Sequence, residues 1–229
     1  MSGVLPLLLG CSLLAPAADP DKPTTWRYVR PDGGKFVFDG ELTFTRSADG
    51  SSAVSRVDRG KETLTLTVER DKAGQVVAAN AVDQTADDKK AVTVTFVGKS
   101  AEVRRGGLRE YVETPADAVV ATAPGLGDVL QLVRRYDAAK GGKQEFPGLW
   151  IHPREPYATL TFVIERVGGD KATLKDKEVA LDRYRVKRRD GTYLVWASAD
   201  GVVYKVAPDG GKGDAAVLEG WEDATRDLK

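Results

Sequence analysis

Apolar and polar residues alternate along much of the chain, which is the pattern of β-strands that bury one face. Threonine fills many of the polar positions, and it suits the wet face of a strand because its β-branch fits the pleat. The clearest alternating runs are 36–44, 63–69, 92–96 and 159–165. This pattern predicts a sheet with one buried face.

Glycines, often after aspartate, separate these runs and predict tight hairpin turns, because glycine adopts positive φ at no steric cost. Successive strands are therefore expected to pair as antiparallel hairpins. In the stretch from Arg183 to Val206 this predicts a three-stranded meander, with Trp196 facing the interior and Lys205 facing water. The predicted turns are at Asp32-Gly33-Gly34, Asp49-Gly50, Arg59-Gly60, Ala73-Gly74, Gly168-Gly169, Asp190-Gly191 and Asp200-Gly201.

One segment has helical spacing instead. From Leu126 to Tyr136 the apolar residues are three and four positions apart, which predicts an amphipathic helix near 126–137. Gln131, Arg134, Arg135 and Asp137 are assigned to its outer face. The predicted fold is mainly β: a curved antiparallel meander sheet, a half-barrel or open barrel, with this helix packed across its concave side.

A basic run follows in the predicted meander: Arg183, Arg185, Lys187, Arg188 and Arg189. Its charges alternate with Tyr184 and Val186 and so cover one face of a strand. The favoured interpretation is an edge strand that its charges protect from aggregation. The alternatives are a patch for an acidic partner or a contact with anionic lipid.

The first residues have the pattern of an export leader. The apolar run from Val4 to Leu14 is shorter than the about 20 residues that a membrane-spanning helix needs, and Ala15-Pro16-Ala17 resembles a signal-peptidase site. Two interpretations remain open: a signal peptide over 1–17, or a lipoprotein leader ending at 10, with Cys11 as the lipid anchor. Residues 18–229 are predicted to form a single β-rich domain in the periplasm or outside the cell, or attached to the outer membrane through Cys11.

Composition narrows the function classes. The 229 residues include 34 Lys or Arg and 34 Asp or Glu, so no excess of positive charge favours nucleic acid as a partner. Cys11 is the one cysteine, which excludes disulfides and cysteine-based zinc sites within the domain. No transmembrane helix and no cofactor are predicted.

The closing strands resemble a known group of proteins. The stretch from Arg183 to Val206, with Val195-Trp196, Asp200-Gly201 and Tyr204-Lys205, is similar to the last strands of bacterial exported half-barrel proteins. These include the periplasmic lipoprotein carrier LolA and related uncharacterised envelope families. The resemblance implies a strongly curved antiparallel sheet around an apolar cavity that in some relatives carries acyl chains.

Candidate chemistry is sparse. His152 is the only histidine and has no matching nucleophile in a strained turn, so it is interpreted as a structural or surface residue. No catalytic residue and no metal site is predicted. Aromatic and apolar residues of the inner faces are candidates for lining a ligand cavity, although they also suit a filled core: Phe38, Phe44, Leu66, Phe96, Phe162 and Trp196.

The sequence therefore leads to the hypothesis of a non-catalytic exported envelope protein that binds an apolar ligand, a lipid or an acyl chain, in a curved-sheet cavity. A protein-interaction or scaffolding module of the envelope with a filled core is the alternative. A carboxylate-based hydrolase is a distant third, since a glycosidase needs only two suitably placed carboxyl groups.

Overall fold

The computed structural model describes residues 22–58, 62–85, 89–123, 125–211 and 213–228, with the backbone alone at positions 62 and 85. The leader and Cys11, and the turn predicted at Arg59-Gly60, lie outside these ranges. Within these ranges, fifteen strands and one helix follow one another. The strands before the helix are β1 (Thr24–Asp32), β2 (Lys35–Ser47), β3 (Gly50–Asp58), β4 (Glu62–Asp71), β5 (Val76–Thr85), β6 (Lys89–Val97), β7 (Ser100–Arg105), β8 (Leu108–Glu113) and β9 (Val119–Ala121). Then come α1 (Gly127–Arg135), β10 (Lys143–His152), β11 (Glu155–Leu174), β12 (Lys177–Lys187), β13 (Thr192–Ala197), β14 (Val203–Pro208) and β15 (Ala216–Leu218).

All fifteen strands belong to one curved sheet that is not closed into a barrel, so the predicted fold class is confirmed. The order runs from β8 back to β1, passes to β15, and continues down to β9. Neighbouring strands are antiparallel, apart from the parallel pair β9 and β10. Because β1 pairs with β15, two meanders join side by side, and β8 and β9 form the two edges.

The sheet curls until its β9 edge lies against its own inner face. Alternate residues of β9 and β10 therefore belong to two different cores: Trp150 packs into the core around α1, whereas Leu149 and Ile151 pack against β4 to β7. In β9, Val119 packs into the core around α1, and Val120 packs against β4 to β7. A strand buried on both faces needs a continuous apolar sequence, as β9 has.

The helix lies where the sequence predicted it, but one residue that was assigned to its outer face is buried. Gln131, assigned to the outer face, is buried: its side-chain amide donates to the carbonyl oxygens of Val120 at 3.3 Å and Gly127 at 3.1 Å. Arg70 of β4 donates to its Oε1. The helix packs against β9 and β3, from the two halves of the sheet, and the strands cover the Gln131 side chain, whereas Arg134 stays exposed.

The predicted meander is confirmed as β12, β13 and β14, but two local predictions are wrong. Gly168-Gly169 makes no turn; it lies within β11, where the pairing shifts register between Arg166 and Gly168. The turn comes instead at Lys175 and Asp176, which both have positive φ, as a two-residue hairpin requires. The basic strand β12 is not an edge either, because it pairs with β11 and β13.

A third apolar cluster covers the outer face of β11 to β14. It explains why the predicted orientation of Lys205 is wrong. Trp196 is buried, as predicted, and its Nε1 donates to Asp170 Oδ2 at 2.9 Å. Lys205 pairs with Trp196 across the sheet and is also buried, contrary to the expectation that it faces water. Residues 219–228 fold over both side chains, and Trp221 and Leu228 complete the apolar cluster.

Candidate functional site

A cavity of about 600 Å³ opens on the concave side of the sheet, next to the core around α1. Apolar residues form part of its wall, among them Val57 of β3, Leu126 ahead of the helix and Val206 of β14. Leu126 and Val206 also belong to that core, which therefore bounds the cavity on one side. Five charged side chains line the rest: Arg30, Asp39, Arg188, Asp190 and Asp214.

Arg188 is the buried centre of this wall. It comes directly after β12, and its backbone N–H donates to the Gly191 carbonyl at 2.8 Å, which closes the turn into β13. Its terminal nitrogens donate to the carbonyl oxygens of Gly125 at 2.8 Å and Thr122 at 3.1 Å. The side chain therefore ties the β12–β13 turn to the segment that leads into the helix.

Two carboxylates neutralise Arg188. Its Nε lies 3.1 Å from Asp128 Oδ2 and 3.1 Å from Asp190 Oδ1. Asp128 is in the first turn of α1, where a negative charge suits the helix dipole. Burial nevertheless raises the pKa of Asp128 to about 6, and the charge of Arg188 only partly opposes that effect.

The ion contacts around Arg188 are close but poorly aligned. Neither Arg188 Nε nor Asp128 Oδ2 makes a hydrogen bond with any described residue, and the same is true of Trp150 Nε1 and Thr122 Oγ1. Trp150 lies under the guanidinium, with its ring centroid 5.8 Å from Arg188 Cζ. Buried polar atoms are usually satisfied, so four such atoms around one side chain mark an unusual polar site.

Arg30 is the second guanidinium of the wall, and it is held loosely. It lies 3.4 Å from Asp39, 3.6 Å from Asp32 and 3.7 Å from Asp214. These contacts are longer than the about 2.7–2.9 Å of a charge-assisted hydrogen bond. Arg30 Nε, although buried, also makes no hydrogen bond with a described residue.

Tyr193 of β13 completes the site. Its hydroxyl donates to Asp190 Oδ2 at 3.2 Å, and its ring lies 5.3 Å from Arg188 Cζ. Burial raises the pKa of this phenol, and the neighbouring charge of Asp190 raises it further. Tyr193 is therefore a neutral hydrogen-bonding group at physiological pH.

The residues predicted to line a cavity are not brought together. Phe162 lies in the core around α1, whereas Leu66 and Phe96 lie in the core of β4 to β7 and Trp196 lies under the C-terminal segment. Phe38 and Phe44 are half-buried, and arginines cover their rings. None of the six lines the 600 Å³ cavity.

The other predicted groups are also accounted for. His152 is half-buried at the end of β10, and its Nδ1 accepts a hydrogen bond from the Arg154 backbone at 3.2 Å. With Glu110 and Glu155 it lines a recess of only about 10 Å³.

Three of the five residues in the basic run, Arg183, Arg185 and Arg188, lie against carboxylates. Arg185 pairs with Asp209 at 2.7 Å, and Arg183 lies 3.5 Å from Asp170. Arg188 is buried in the cavity wall, as described above. Across the described part of the chain, no three or more His, Cys, Asp or Glu side chains are arranged to hold a metal ion. Within the same ranges, no helix is both long and apolar enough to cross a membrane.

Sequence reasoning missed the residues of the cavity wall because they come from segments that lie far apart in the sequence, between Arg30 and Ala216. One signal was available: Asp128 interrupts the apolar start of the helix, and Arg188 ends the alternation of β12. Only the fold brings these two positions together.

Comparison with known proteins adds little to this picture. No protein-family model and no curated protein matches the chain. Among solved structures, a DUF1089 family protein from Pseudomonas aeruginosa is similar over 87% of this chain and 97% of its own, with 14% sequence identity and a TM-score of 0.47.

Proposed function

We propose that this chain is an exported, non-catalytic protein that binds a small amphiphilic molecule in the cavity beside Arg188. The observation that carries the proposal is the cavity itself. Its volume of about 600 Å³ is within the range of about 300–1,000 Å³ that ligand sites occupy. Export is proposed from the apolar leader sequence alone.

The composition of the wall supports an amphiphile. Val57, Leu126 and Val206 give the ligand an apolar surface, and two arginines and three aspartates offer polar contacts at the same opening. An apolar body with a few placed polar groups is what such mixed walls recognise. The apolar body of the ligand is expected to lie against Val57, Leu126 and Val206, and its polar group against the charged residues.

The engagement of the carboxylates in this wall supports a binding role. Asp128 and Asp190 are engaged by Arg188, and Tyr193 is held by Asp190. A glycosidase of the usual kind needs two carboxyl groups free to act on opposite sides of a bond. In the described residues the carboxylates of this wall face guanidinium groups instead.

The test is binding of N-phenyl-1-naphthylamine, a neutral apolar fluorescent probe, to the purified protein. We expect saturable binding of one probe per chain. Ala216→Phe places a ring in the cavity wall and should weaken binding at least about tenfold, since it removes most of the space for an apolar body. Ala139→Phe, at an exposed turn position, is the matched control. Equal binding by all three proteins would contradict the proposal.

The alternative, an interaction module, is favoured by one feature. The edge strand β8 exposes Leu108 by 64% and Tyr111 by 65%, and an edge of this kind offers unpaired backbone groups to a partner strand. If the probe fails to bind, self-association or partner binding that Tyr111→Lys abolishes would favour this function instead.

A further inference from the structure

The charged half of the cavity wall points to a particular head group. Among the lining residues the carboxylates of Asp39, Asp190 and Asp214 outnumber the guanidiniums of Arg30 and Arg188 by one. Asp128, behind Arg188, adds a further negative charge. A head group with only negative charge would meet net repulsion at this opening.

A head group with only positive charge would leave the arginines unmatched. Arg188 Nε belongs to a side chain that is 3% exposed and lines the cavity, yet it makes no hydrogen bond with a described residue. Arg30 also lines the cavity, and its buried Nε likewise makes no hydrogen bond with a described residue. Both nitrogens lie 3.1–3.4 Å from carboxylate oxygens without hydrogen-bond alignment, so the two guanidinium groups are incompletely hydrogen-bonded at the cavity and suit the oxygen acceptors of a ligand.

The existing ion contacts can be exchanged for better ones. Arg30 meets its three aspartates at 3.4–3.7 Å, so ligand oxygens at shorter distance would improve its hydrogen bonding. The exposed carboxylate of Asp214 is then available to an ammonium group. Positively charged donors and negatively charged acceptors thus line the same opening.

We propose that the cavity recognises a zwitterionic head group, an ammonium beside carboxylate or phosphate oxygens, on an apolar chain. The inference rests on the proposed function, because it assumes that a ligand enters this cavity. The ammonium faces the carboxylates, the oxygens face the Arg30 and Arg188 donors, and the chain lies along Leu126 and Val206.

Three ten-carbon probes isolate the head group: 2-aminodecanoate, which is zwitterionic, decanoate, which is anionic, and decylammonium, which is cationic. Each is titrated calorimetrically into the full chain at pH 7.5, below its micellar concentration. We expect 2-aminodecanoate to bind about tenfold more tightly than either of the others, because it alone makes both sets of charge-assisted hydrogen bonds. Alanine, a zwitterion without the chain, should bind much more weakly.

Variants assign the two halves of the head group. Asp214→Asn, at a position with a 59% exposed side chain, keeps the fold and should weaken 2-aminodecanoate and decylammonium about two- to fivefold, leaving decanoate unaffected or tighter. Arg30→Gln should weaken 2-aminodecanoate and decanoate instead. Asp223→Asn, at an exposed site outside the cavity, is the control and should change none of these affinities.

The outcomes separate this inference from the proposed function. If the three ten-carbon probes bind with similar affinity, and Ala216→Phe abolishes that binding, the inference of a zwitterionic head group is wrong. The proposal that the cavity binds a ligand is then still supported. Tightest binding of decanoate or decylammonium also overturns the inference. Alanine binding as tightly as 2-aminodecanoate overturns the apolar chain. If none of the probes binds, both the inference and the proposed function fail.

Discussion

Arg188 Nε, in the cavity wall, lies 3.1 Å from Asp128 Oδ2 behind it, and the two side chains are 3% and 1% exposed. The contact joins the turn after β12 to the first turn of α1. Removing one partner of a buried ion pair leaves the other charge uncompensated, which is strongly destabilising. The shape of the cavity therefore depends on this pair, and so should part of the pH dependence of stability.

Asp128→Asn is expected to change how the free energy of unfolding varies between about pH 4 and pH 6. Burial raises the pKa of Asp128 from 3.8 to about 6, so in this window the folded protein holds a proton that the unfolded chain has lost. The stability from this group is present below pH 4 and is lost as pH rises to about 6. The loss is on the order of 2–3 kcal/mol, at about 1.4 kcal/mol per pH unit.

Urea unfolding of wild type and Asp128→Asn across this range measures the effect. The free energy of unfolding of the wild type, relative to the variant, should fall as pH rises from 4 to 6. Asp223→Asn, at an exposed position, is the control and should follow the wild type. Parallel curves for wild type and Asp128→Asn would contradict the assignment.

Trp196→Ala should lower the free energy of unfolding by about 3–5 kcal/mol, the usual loss when a large buried aromatic residue is truncated. Trp196 is 1% exposed and donates to Asp170, so the variant also loses a buried hydrogen bond. Because Trp196 faces the C-terminal segment and not the cavity, the folded variant should keep the wild-type affinity for N-phenyl-1-naphthylamine. Denaturant unfolding and probe titration check the two parts, and lost affinity with unchanged stability would reverse the assignment.

Lys205→Met is expected to loosen residues 219–228. Lys205 Nζ donates to the carbonyl oxygens of Thr225 at 2.9 Å and Leu228 at 2.8 Å, and it lies 5.2 Å from the centroid of the Trp196 ring. Losing both hydrogen bonds should cost about 1–3 kcal/mol. Hydrogen exchange should rise in 219–228 and not in β1 to β8. Lys171→Met, with a 67% exposed side chain, is the control.

Gly148→Ala tests the close packing of β10 on β11. A Cβ at this position would lie 2.3 Å from Cε2 and 2.4 Å from Cδ2 of Phe162, which is fully buried. Overpacking of this kind usually costs about 1–3 kcal/mol. At Gly169 the nearest atom would be 3.6 Å away, so Gly169→Ala is the matched control. Thermal unfolding should separate the two variants, and equal midpoints would contradict this packing.

The alternation of apolar residues predicted the strands and their antiparallel pairing, because period two follows directly from strand geometry. The helix followed from spacing in the same way. Both are local properties of the chain. Glycine pairs predicted the positions of turns less reliably. Gly168-Gly169 lies at a bulge within β11, whereas Lys175 and Asp176 form the turn without any glycine.

The position of each strand within the sheet was beyond local reasoning. Charges along β12 resemble those of an edge strand, yet its arginines pair with acids on neighbouring elements. Lys205 looked like a surface residue because nothing near it in sequence showed that residues 219–228 fold over it. The cavity depends on contacts between segments more than sixty residues apart, such as Arg188 and Gly125, so it too required the fold.

The central claim is that a ligand occupies the cavity beside Arg188, and mapping of backbone amide shifts by NMR tests it most directly. The measurement is a titration of the isotopically labelled full chain with 2-aminodecanoate. We expect saturable shifts confined to the cavity wall, at Gly125, Leu126, Arg188, Tyr193 and Val206. Saturable shifts centred instead on β8 around Leu108 and Tyr111, or on the segment over Trp196, would contradict the account, as would a spectrum that does not change.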